Sequence, residues 1–109
     1  MTVKLFAEKT GCKPICIPSP EREINGVYIG DLLSWVMANA NADDMWITIM
    51  SNINIVAVAS LTDTACILLA EGVVADQAAL DAARAKGVNI LSTPHTAYEA
   101  ALLASETLN

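Results

Sequence analysis

Two glycines, Gly26 and Gly30, bracket a short apolar stretch just before a predicted helix, a pattern close to a phosphate-binding loop. A dinucleotide fingerprint requires G-x-G-x-x-G, and a P-loop requires a lysine directly after its second glycine. Asp31 occupies that position here, and no basic residue follows in the helix to hold a phosphate. The segment is therefore not a nucleoside-triphosphate loop. We expect Gly26 to pack closely at a strand entry and Gly30 to allow a turn into a helix capped by Asp31.

Cysteines are the next candidates for chemistry, and the chain has three of them beside a single histidine. Cys12 and Cys16 form a C-x3-C pair, which either fills small sites at a turn and in a strand or serves as a metal or redox site. Zinc needs four ligands, and these residues cannot complete a structural Cys/His site in one chain. Cys66 lies in an apolar run and is predicted to be in the core. We predict no metal site and no cofactor, with a metal or redox adaptor using Cys12 and Cys16 as an alternative.

His95 and Arg22 are the other ionisable side chains considered as candidates for catalysis or binding. His95 is expected to lie exposed in the first turn of the last helix, and the sequence fixes no acid or nucleophile beside it. Arg22 could pair with Asp31, Glu21 or Glu23, or could cross a subunit interface. For Arg22 the sequence favours a structural ion pair over substrate binding.

Short helices and strands alternate along the chain and must position these residues. The predicted helices cover residues 3–10, 31–40, 77–86 and 94–106, and the predicted strands cover residues 13–17, 26–29, 45–50, 65–70 and 88–91. Thr2, Asp76 and Thr93 are predicted N-caps, with Pro94 in the first helical position and glycines ending two helices. Residues 53–61 fit either a hairpin strand or a buried helix, since periodicity does not decide runs this short. The pattern predicts a three-layer α/β/α fold whose mostly parallel sheet has four or five strands.

Polar residues cluster where the predicted strands end. In a parallel sheet, ligands bind beyond the carboxyl ends of the strands. The candidate ligand-binding residues are Gly30, Asp31, Ser51, Asn52, Asn54, Ser92, Thr93 and His95. Together with the N–H groups of two helix starts, they suit a ligand of modest size. Caps and turns require the same residue types, so the competing interpretation is that each does only local work.

Charge and composition exclude several classes of function. The chain has 109 residues and a formal charge of −6, and residues 23–83 contain no basic side chain, which leaves no cationic face for nucleic acid or an anionic membrane. The longest uncharged run, residues 45–62, is interrupted by polar side chains, and no basic-then-apolar leader is present, so we expect a cytosolic chain. Apolar residues make up 54% of a chain sized for one domain. Surplus apolar surface of this kind predicts a homodimer.

The residues around the two glycines resemble the signature of the DRTGG domain family, whose pattern is Asp-Arg, Thr-Gly and a further Gly. The signature residues here are Glu21, Arg22, Asn25, Gly26 and Gly30. Glu21 and Asn25 replace the aspartate and the threonine, and the other three match. Residues 26–37, 47–63 and 87–101 are also similar to small stand-alone members of the family, so the resemblance covers nearly the whole chain, and we expect residues 1–109 to form one DRTGG-like domain.

This resemblance implies an α/β fold similar to the N-terminal domain of bacterial HPr kinase/phosphorylase and related to the N-domain of some Mur ligases. It favours a helix for residues 53–61. DRTGG domains occur between CBS domains in regulated pyrophosphatases, and alone in anaerobes beside hydrogenase-related genes, which implies a regulatory or dimer-forming role. The kinase activity of HPr kinase belongs to a separate P-loop domain that this sequence lacks.

The prediction is therefore a non-enzymatic regulatory or scaffold module, a cytosolic homodimer that binds a small ligand such as a nucleotide, or a partner protein. A link to hydrogenase or redox metabolism follows from the resemblance alone. The remaining alternative is a small enzyme whose site at the strand ends uses His95, Ser92 or Asp31.

Overall fold

Five helices and five strands lie within residues 1–108, the part of the chain that the computed structural model describes. The helices are α1 (Val3–Thr10), α2 (Leu33–Asn39), α3 (Asn54–Thr62), α4 (Gln77–Lys86) and α5 (Ala97–Leu108). The strands are β1 (Lys13–Cys16), β2 (Gly26–Ile29), β3 (Asp44–Thr48), β4 (Cys66–Leu69) and β5 (Ile90–Ser92). The ambiguous segment 53–61 falls in α3, so the helix that the family resemblance implied is confirmed and the hairpin alternative is wrong.

The strands form one five-stranded sheet in the order β1-β5-β4-β3-β2. Strands β2 to β5 run parallel to their neighbours, and β1 pairs antiparallel with β5. The predicted α/β class with a mostly parallel sheet is confirmed. As a result, all four parallel strands end at the same side of the molecule, which we call the carboxyl edge, and begin at the opposite side, the amino edge.

Two helical layers cover the sheet because alternate side chains of its central strands point to opposite faces. Met45 of β3 packs in the cluster that contains residues of α1 and α5. Trp46, the next residue, packs in the cluster that contains residues of α2, α3 and α4. Every residue of β3 and β4 is buried, as expected for the middle of a sheet covered on both faces. These two layers complete the three-layer architecture.

Local signals set most of the helix ends correctly. The Thr2 hydroxyl accepts a hydrogen bond from the Leu5 N–H at 3.1 Å, which caps α1. Gly11 and Gly87 end α1 and α4 in the left-handed region, with φ of 78° and 73°. Asp76 is the N-cap residue of α4, although its side chain makes no capping hydrogen bond.

Two predicted helix starts are wrong. Helix α2 begins after Leu32, not at an Asp31 cap, because the Asp31 carboxylate accepts hydrogen bonds from the end of β3 instead. Helix α5 begins at Ala97, three residues after the predicted Pro94. The Thr93 N–H donates to the Leu69 carbonyl at 2.9 Å, so the chain stays extended beyond β5 and cannot yet turn into a helix.

Candidate functional site

The carboxyl edge carries all eight candidate residues: Ser92 ends β5, Asn54 begins α3, and the others lie in the segments that follow β2, β3 and β5. At the end of β2, Asp31 Oδ1 accepts hydrogen bonds from the Thr48 hydroxyl at 2.8 Å and from the Ile49 N–H at 3.0 Å. This carboxylate therefore joins the ends of two neighbouring strands. Gly30 does not have a left-handed backbone; a Cβ there would lie 3.1 Å from the Tyr28 ring, so the glycine allows close packing. The Gly30 carbonyl also accepts a hydrogen bond from the Trp46 indole at 2.8 Å.

The segment after β3 leads into α3 and is organised by its own hydrogen bonds. Asn52 Oδ1 accepts from the Asn54 N–H at 2.9 Å, a local turn at the start of the helix. The Ser51 carbonyl accepts from the Asp76 N–H at 3.0 Å, which ties this segment to the start of α4. The Asn52 and Ser51 bonds therefore hold the loop in shape, whether or not a ligand also contacts it.

The end of β5 packs against the turn that follows β4. The Glu71 N–H donates to the His95 carbonyl at 2.7 Å, and the Gly72 N–H donates to the Thr93 carbonyl at 2.9 Å. Glu71 and Gly72 both have positive φ, 58° and 71°, so this turn is left-handed. Thr93 is buried, whereas the His95 side chain is exposed, with its Nδ1 3.9 Å from a carboxylate oxygen of Glu99. His95 precedes α5, so its predicted place in the first helical turn is wrong.

A small cavity of about 180 Å³ lies at this edge, beside Gly72 and Ser92. Lys13 also lines it, because β1 runs antiparallel and sets Lys13 opposite Ser92. Lys13 was not among the residues predicted to bind a ligand. The direction of a short edge strand depends on how it pairs with its neighbour, which the sequence of β1 does not specify. The sequence therefore did not predict that a cation at the start of β1 would lie at the carboxyl edge. Lys13 supplies a positive charge to an edge that otherwise carries carboxylates and small polar groups.

Four of the five signature residues lie at the opposite, amino edge. Arg22 donates to Asp43 Oδ1 from Nε at 3.1 Å and from Nη2 at 2.9 Å, and to the Asp63 carbonyl from Nη2 at 2.6 Å. The Asp63 carboxylate lies 3.0 Å from the same nitrogen. The expected partners Asp31, Glu21 and Glu23 were wrong, because only tertiary folding brings the loops before β3 and β4 beside Arg22. Burial by itself would lower the pKa of Arg22, but the two aspartates outweigh it and raise that pKa.

The neighbouring signature residues serve the same junction. The Asn25 N–H donates to the Asp43 carbonyl at 2.9 Å. A Cβ on Gly26 would lie 2.5 Å from Asp44 Oδ1, so any larger residue would force this buried carboxylate to move, in agreement with the predicted close packing. Asp44 itself is buried, and its other oxygen accepts from the Asn41 N–H at 2.8 Å. Glu21 is exposed. In this chain, Arg22, Asn25 and Gly26 therefore join three loops and lie away from the candidate ligand residues.

The cysteines do not form a common site. Cys12 is buried in the layer of α1 and α5, and Cys16 is buried in the layer of α2, α3 and α4, on the other face of the sheet. Cys66 is buried near Cys12; burial first, and the Cys12 thiol second, raise the pKa of Cys66. All three are free thiols, and within residues 1–108 no group of three or more His, Cys, Asp or Glu side chains is placed to hold a metal.

A larger groove of about 720 Å³ lies between β2 and α5, where no sequence pattern predicted a binding surface. Its sheet side includes Val27 and Ile29, and its helix side includes Ala101 and Leu108. The one feature of the sequence that could have indicated this groove is the uncharged β2, but an uncharged strand is equally typical of a buried position. In the part of the chain described, no helix is long and apolar enough to cross a membrane.

Comparisons with known proteins identify the fold. No family model matches the sequence, and no curated protein matches it. Among solved structures, the chain is similar to the CBS and DRTGG domains of the regulatory region of Clostridium perfringens pyrophosphatase, which was crystallised with the activator diadenosine tetraphosphate. The TM-score is 0.71 at 13% sequence identity, over 90% of this chain and 43% of that chain. The chain therefore spans less than half the length of this neighbour, and the similarity supports a DRTGG-like α/β fold.

Proposed function

We propose that this protein is a non-enzymatic regulatory module that binds a small ligand at the carboxyl edge of its sheet. The observation that carries the proposal is the match of 90% of the chain to a regulatory region that was solved with a dinucleotide activator. Nucleotides are accordingly the first class of ligand to test. We further propose that residues 1–109 act as one domain and work as a cytosolic homodimer. Its link to hydrogenase or redox metabolism, suggested by the family resemblance, belongs to the same proposal.

The chemistry of the carboxyl edge supports binding more than catalysis. Catalysis by an acid or base needs a titratable group directed at a reacting atom by ordered partners. His95 is exposed and 3.9 Å from its nearest carboxylate, and Asp31 already accepts two hydrogen bonds within the protein. Lys13, by contrast, stands beside a cavity that Ser92 also lines, an arrangement that suits an anionic group. We propose Lys13 and the eight candidate residues as the binding surface.

A thermal-shift screen tests this function. The panel comprises diadenosine tetraphosphate, mononucleotides, UDP-sugars, nicotinamide cofactors and divalent metals. A ligand at about 100 times its dissociation constant stabilises the native state by about 2.7 kcal/mol, which corresponds to a rise of several degrees in Tm for a domain of this size. We expect at least one nucleotide to produce such a rise. No shift across the panel would refute the proposal of a nucleotide-binding module.

A matched pair of variants then locates the site. Lys13→Gln removes the cation beside the cavity, and Lys86→Gln removes an exposed cation from the last turn of α4. We expect Lys13→Gln to weaken binding of a phosphate-bearing ligand about tenfold, which is about 1.4 kcal/mol, and Lys86→Gln to leave it unchanged. Equal binding by both variants would place the ligand away from this cavity.

A further inference from the structure

The two edge strands of the sheet differ in how they are protected from pairing with another strand. β1 carries Lys13 and Pro14, and its register shifts between Pro14 and Cys16. A lysine, a proline and an irregular register are the devices by which natural proteins block an exposed edge. β2, with the sequence GVYI, has no charge, no proline and an unbroken register with β3. Only the β2 edge is left open to strand addition.

The backbone of β2 offers hydrogen-bonding groups at this edge. β2 pairs in parallel with β3 from Gly26 to Ile29, and the Gly30 N–H donates to the Ile47 carbonyl at 3.2 Å. Because successive residues of a strand direct their backbone groups to alternate sides, Tyr28 and Gly26 also face β3. The N–H and C=O groups of Val27 and Ile29 then point away from the sheet. Within residues 1–108, β3 is the one strand paired with β2.

The side chains of β2 are exposed as well. Val27 is 37% exposed and Ile29 is 48% exposed, and both line the groove beside α5. Tyr28, on the opposite face, packs against the layer of α2, α3 and α4. An open backbone edge therefore coincides with exposed apolar side chains.

We propose that β2 pairs antiparallel with β2 of a second copy, about a two-fold axis that passes beside Tyr28, so that two five-stranded sheets join into one of ten strands. This inference rests on the proposed homodimer and identifies its interface. In this register Val27 lies opposite Ile29 of the partner subunit, and each such pair exchanges two hydrogen bonds, which gives four in all. Tyr28 lies opposite Tyr28 of the partner subunit, a cross-strand aromatic pair.

Charge favours a second copy over a charged peptide as the occupant. The molecule carries a formal charge of −6, but β2 itself is uncharged. The acidic residues on either side of it are engaged: Glu23 pairs with the N-terminal ammonium at 2.7 Å, and Asp31 accepts two hydrogen bonds. β2 therefore presents no charge of its own to an identical copy, and a charged peptide finds no opposite charge along the strand.

A strand of four residues is too small to form a stable dimer interface by itself. A stable interface buries roughly 800 Å² on each partner, and the whole chain exposes 5413 Å². The strand alone cannot supply that area, but exposed apolar side chains lie at α2, which follows β2 in the chain, and on α5, which lines the groove beside β2. These are Leu32, Trp35 and Met37 at α2, and Tyr98 and Leu102 on α5. The interface extends from the strand onto these two helices.

Disulfide trapping tests both the interface and its register. In Tyr28→Cys the two introduced thiols face each other across the axis with Cα atoms about 4.5 Å apart, within the range of a disulfide. Diamide, which takes up the two electrons and two protons released, should convert the variant into a covalent dimer. Val27→Cys is the matched control, because the Cα atoms of its two cysteines would be roughly 8 Å apart in this register. The native thiols are all buried, so they do not compete.

A second pair of variants covers the case in which Tyr28→Cys folds poorly. Ile29→Lys places a charge at the centre of the interface, and Leu61→Lys places one on α3, at a side chain that is 71% exposed. We expect Ile29→Lys to weaken dimerisation about hundredfold in sedimentation equilibrium, with native circular dichroism, and Leu61→Lys to leave it unchanged.

The outcomes separate this interface from the homodimer itself. A native chain that is monomeric at micromolar concentration refutes both. A native dimer that resists Ile29→Lys and gives no disulfide at Tyr28→Cys refutes the β2 interface and leaves the homodimer in place. Efficient trapping of Val27→Cys with none at Tyr28→Cys overturns the register stated here.

Discussion

Arg22 offers the sharpest test of whether the signature residues are structural. Its guanidinium joins the loops that precede β2, β3 and β4 through Asp43 and Asp63. We choose Arg22→Met, because methionine keeps the packing of the aliphatic stem and removes every donor. If these contacts hold the amino edge together, the substitution should reduce stability and leave ligand binding at the carboxyl edge unchanged.

The expected loss follows from the exposure of the groups involved. A buried hydrogen bond to a charged group is worth about 1.5–3 kcal/mol, and an exposed ion pair about 0–1 kcal/mol. The Arg22 side chain is 30% exposed, and the Asp63 carboxylate is largely in solvent at 68%. We therefore assign about 1 kcal/mol each to the Asp43 interaction and to the bond with the Asp63 carbonyl, and little to the Asp63 carboxylate. The total is about 2 kcal/mol, or a Tm lower by about 10 °C.

Urea unfolding followed by circular dichroism measures this loss. Arg84→Met is the control, since Arg84 is an exposed arginine 3.6 Å from Asp81 and should change stability by less than about 0.5 kcal/mol. The structural reasoning would be refuted if Arg22→Met unfolds at the same urea concentration as the native protein. An Arg22→Met variant of native stability that has lost its ligand-induced thermal shift would instead assign the residue to binding.

Two further predictions concern single residues. Gly26→Ala should lower the free energy of unfolding in urea by about 1–3 kcal/mol, because its Cβ would lie 2.5 Å from buried Asp44. In the control Gly11→Ala, the new Cβ meets no atom within 4 Å, so only the left-handed φ should lower that free energy, by about 1 kcal/mol. Equal losses in the two variants would contradict the clash at Gly26. Hydrogen bonds from the Thr96 N–H and hydroxyl lower the pKa of Glu99. A lowered folded-state pKa stabilises the start of α5 above the ordinary glutamate pKa, and that contribution is lost as pH falls through the folded-state value. An NMR titration of Glu99 at or above the pKa of a free glutamate would refute this.

Stability, ligand binding and dimerisation are each assigned to a different part of the sheet. The amino edge is held by Arg22, Asn25 and Gly26, so a change there acts on the stability of the fold. The carboxyl edge combines Lys13 with the polar strand ends and is the proposed place for a ligand. The open side of β2 is the proposed contact between subunits. Because Lys13, Ile29 and Arg22 lie in different regions, ligand binding, dimerisation and stability can each be perturbed by a separate substitution.

The family resemblance correctly implied the fold, yet four of the five signature residues that suggested it lie away from the candidate ligand site, and only Gly30 belongs to both sets. Arg22 and Gly26 were recognised by type and spacing alone. Their partners, Asp43, Asp63 and Asp44, precede or begin strands that follow much later in the chain. A sequence motif identifies which residues are constrained, whereas the contact that constrains them depends on which strands lie side by side.

Local interactions along the chain were sufficient to determine much of this protein. Thr2, Gly11 and Gly87 set helix ends through hydrogen bonds and φ values that involve only nearby residues, and the apolar runs of β3 and β4 marked a buried parallel sheet. The distribution of charge along the chain predicted that no surface binds nucleic acid. These features could be read from the sequence because their physical causes act within a few residues.

Tertiary structure decided everything that depends on strand pairing. Residues 53–61 satisfy strand and helix preferences equally, and packing over β3 and β4 made them a helix. Asp31 does not cap α2, because its carboxylate accepts hydrogen bonds from two donors at the end of β3. Lys13 joined the carboxyl edge because β1 runs antiparallel, and β2 became an open edge because only β3 lies beside it within residues 1–108. These features depend on contacts between segments that are distant in the sequence, and no local sequence pattern specifies such contacts.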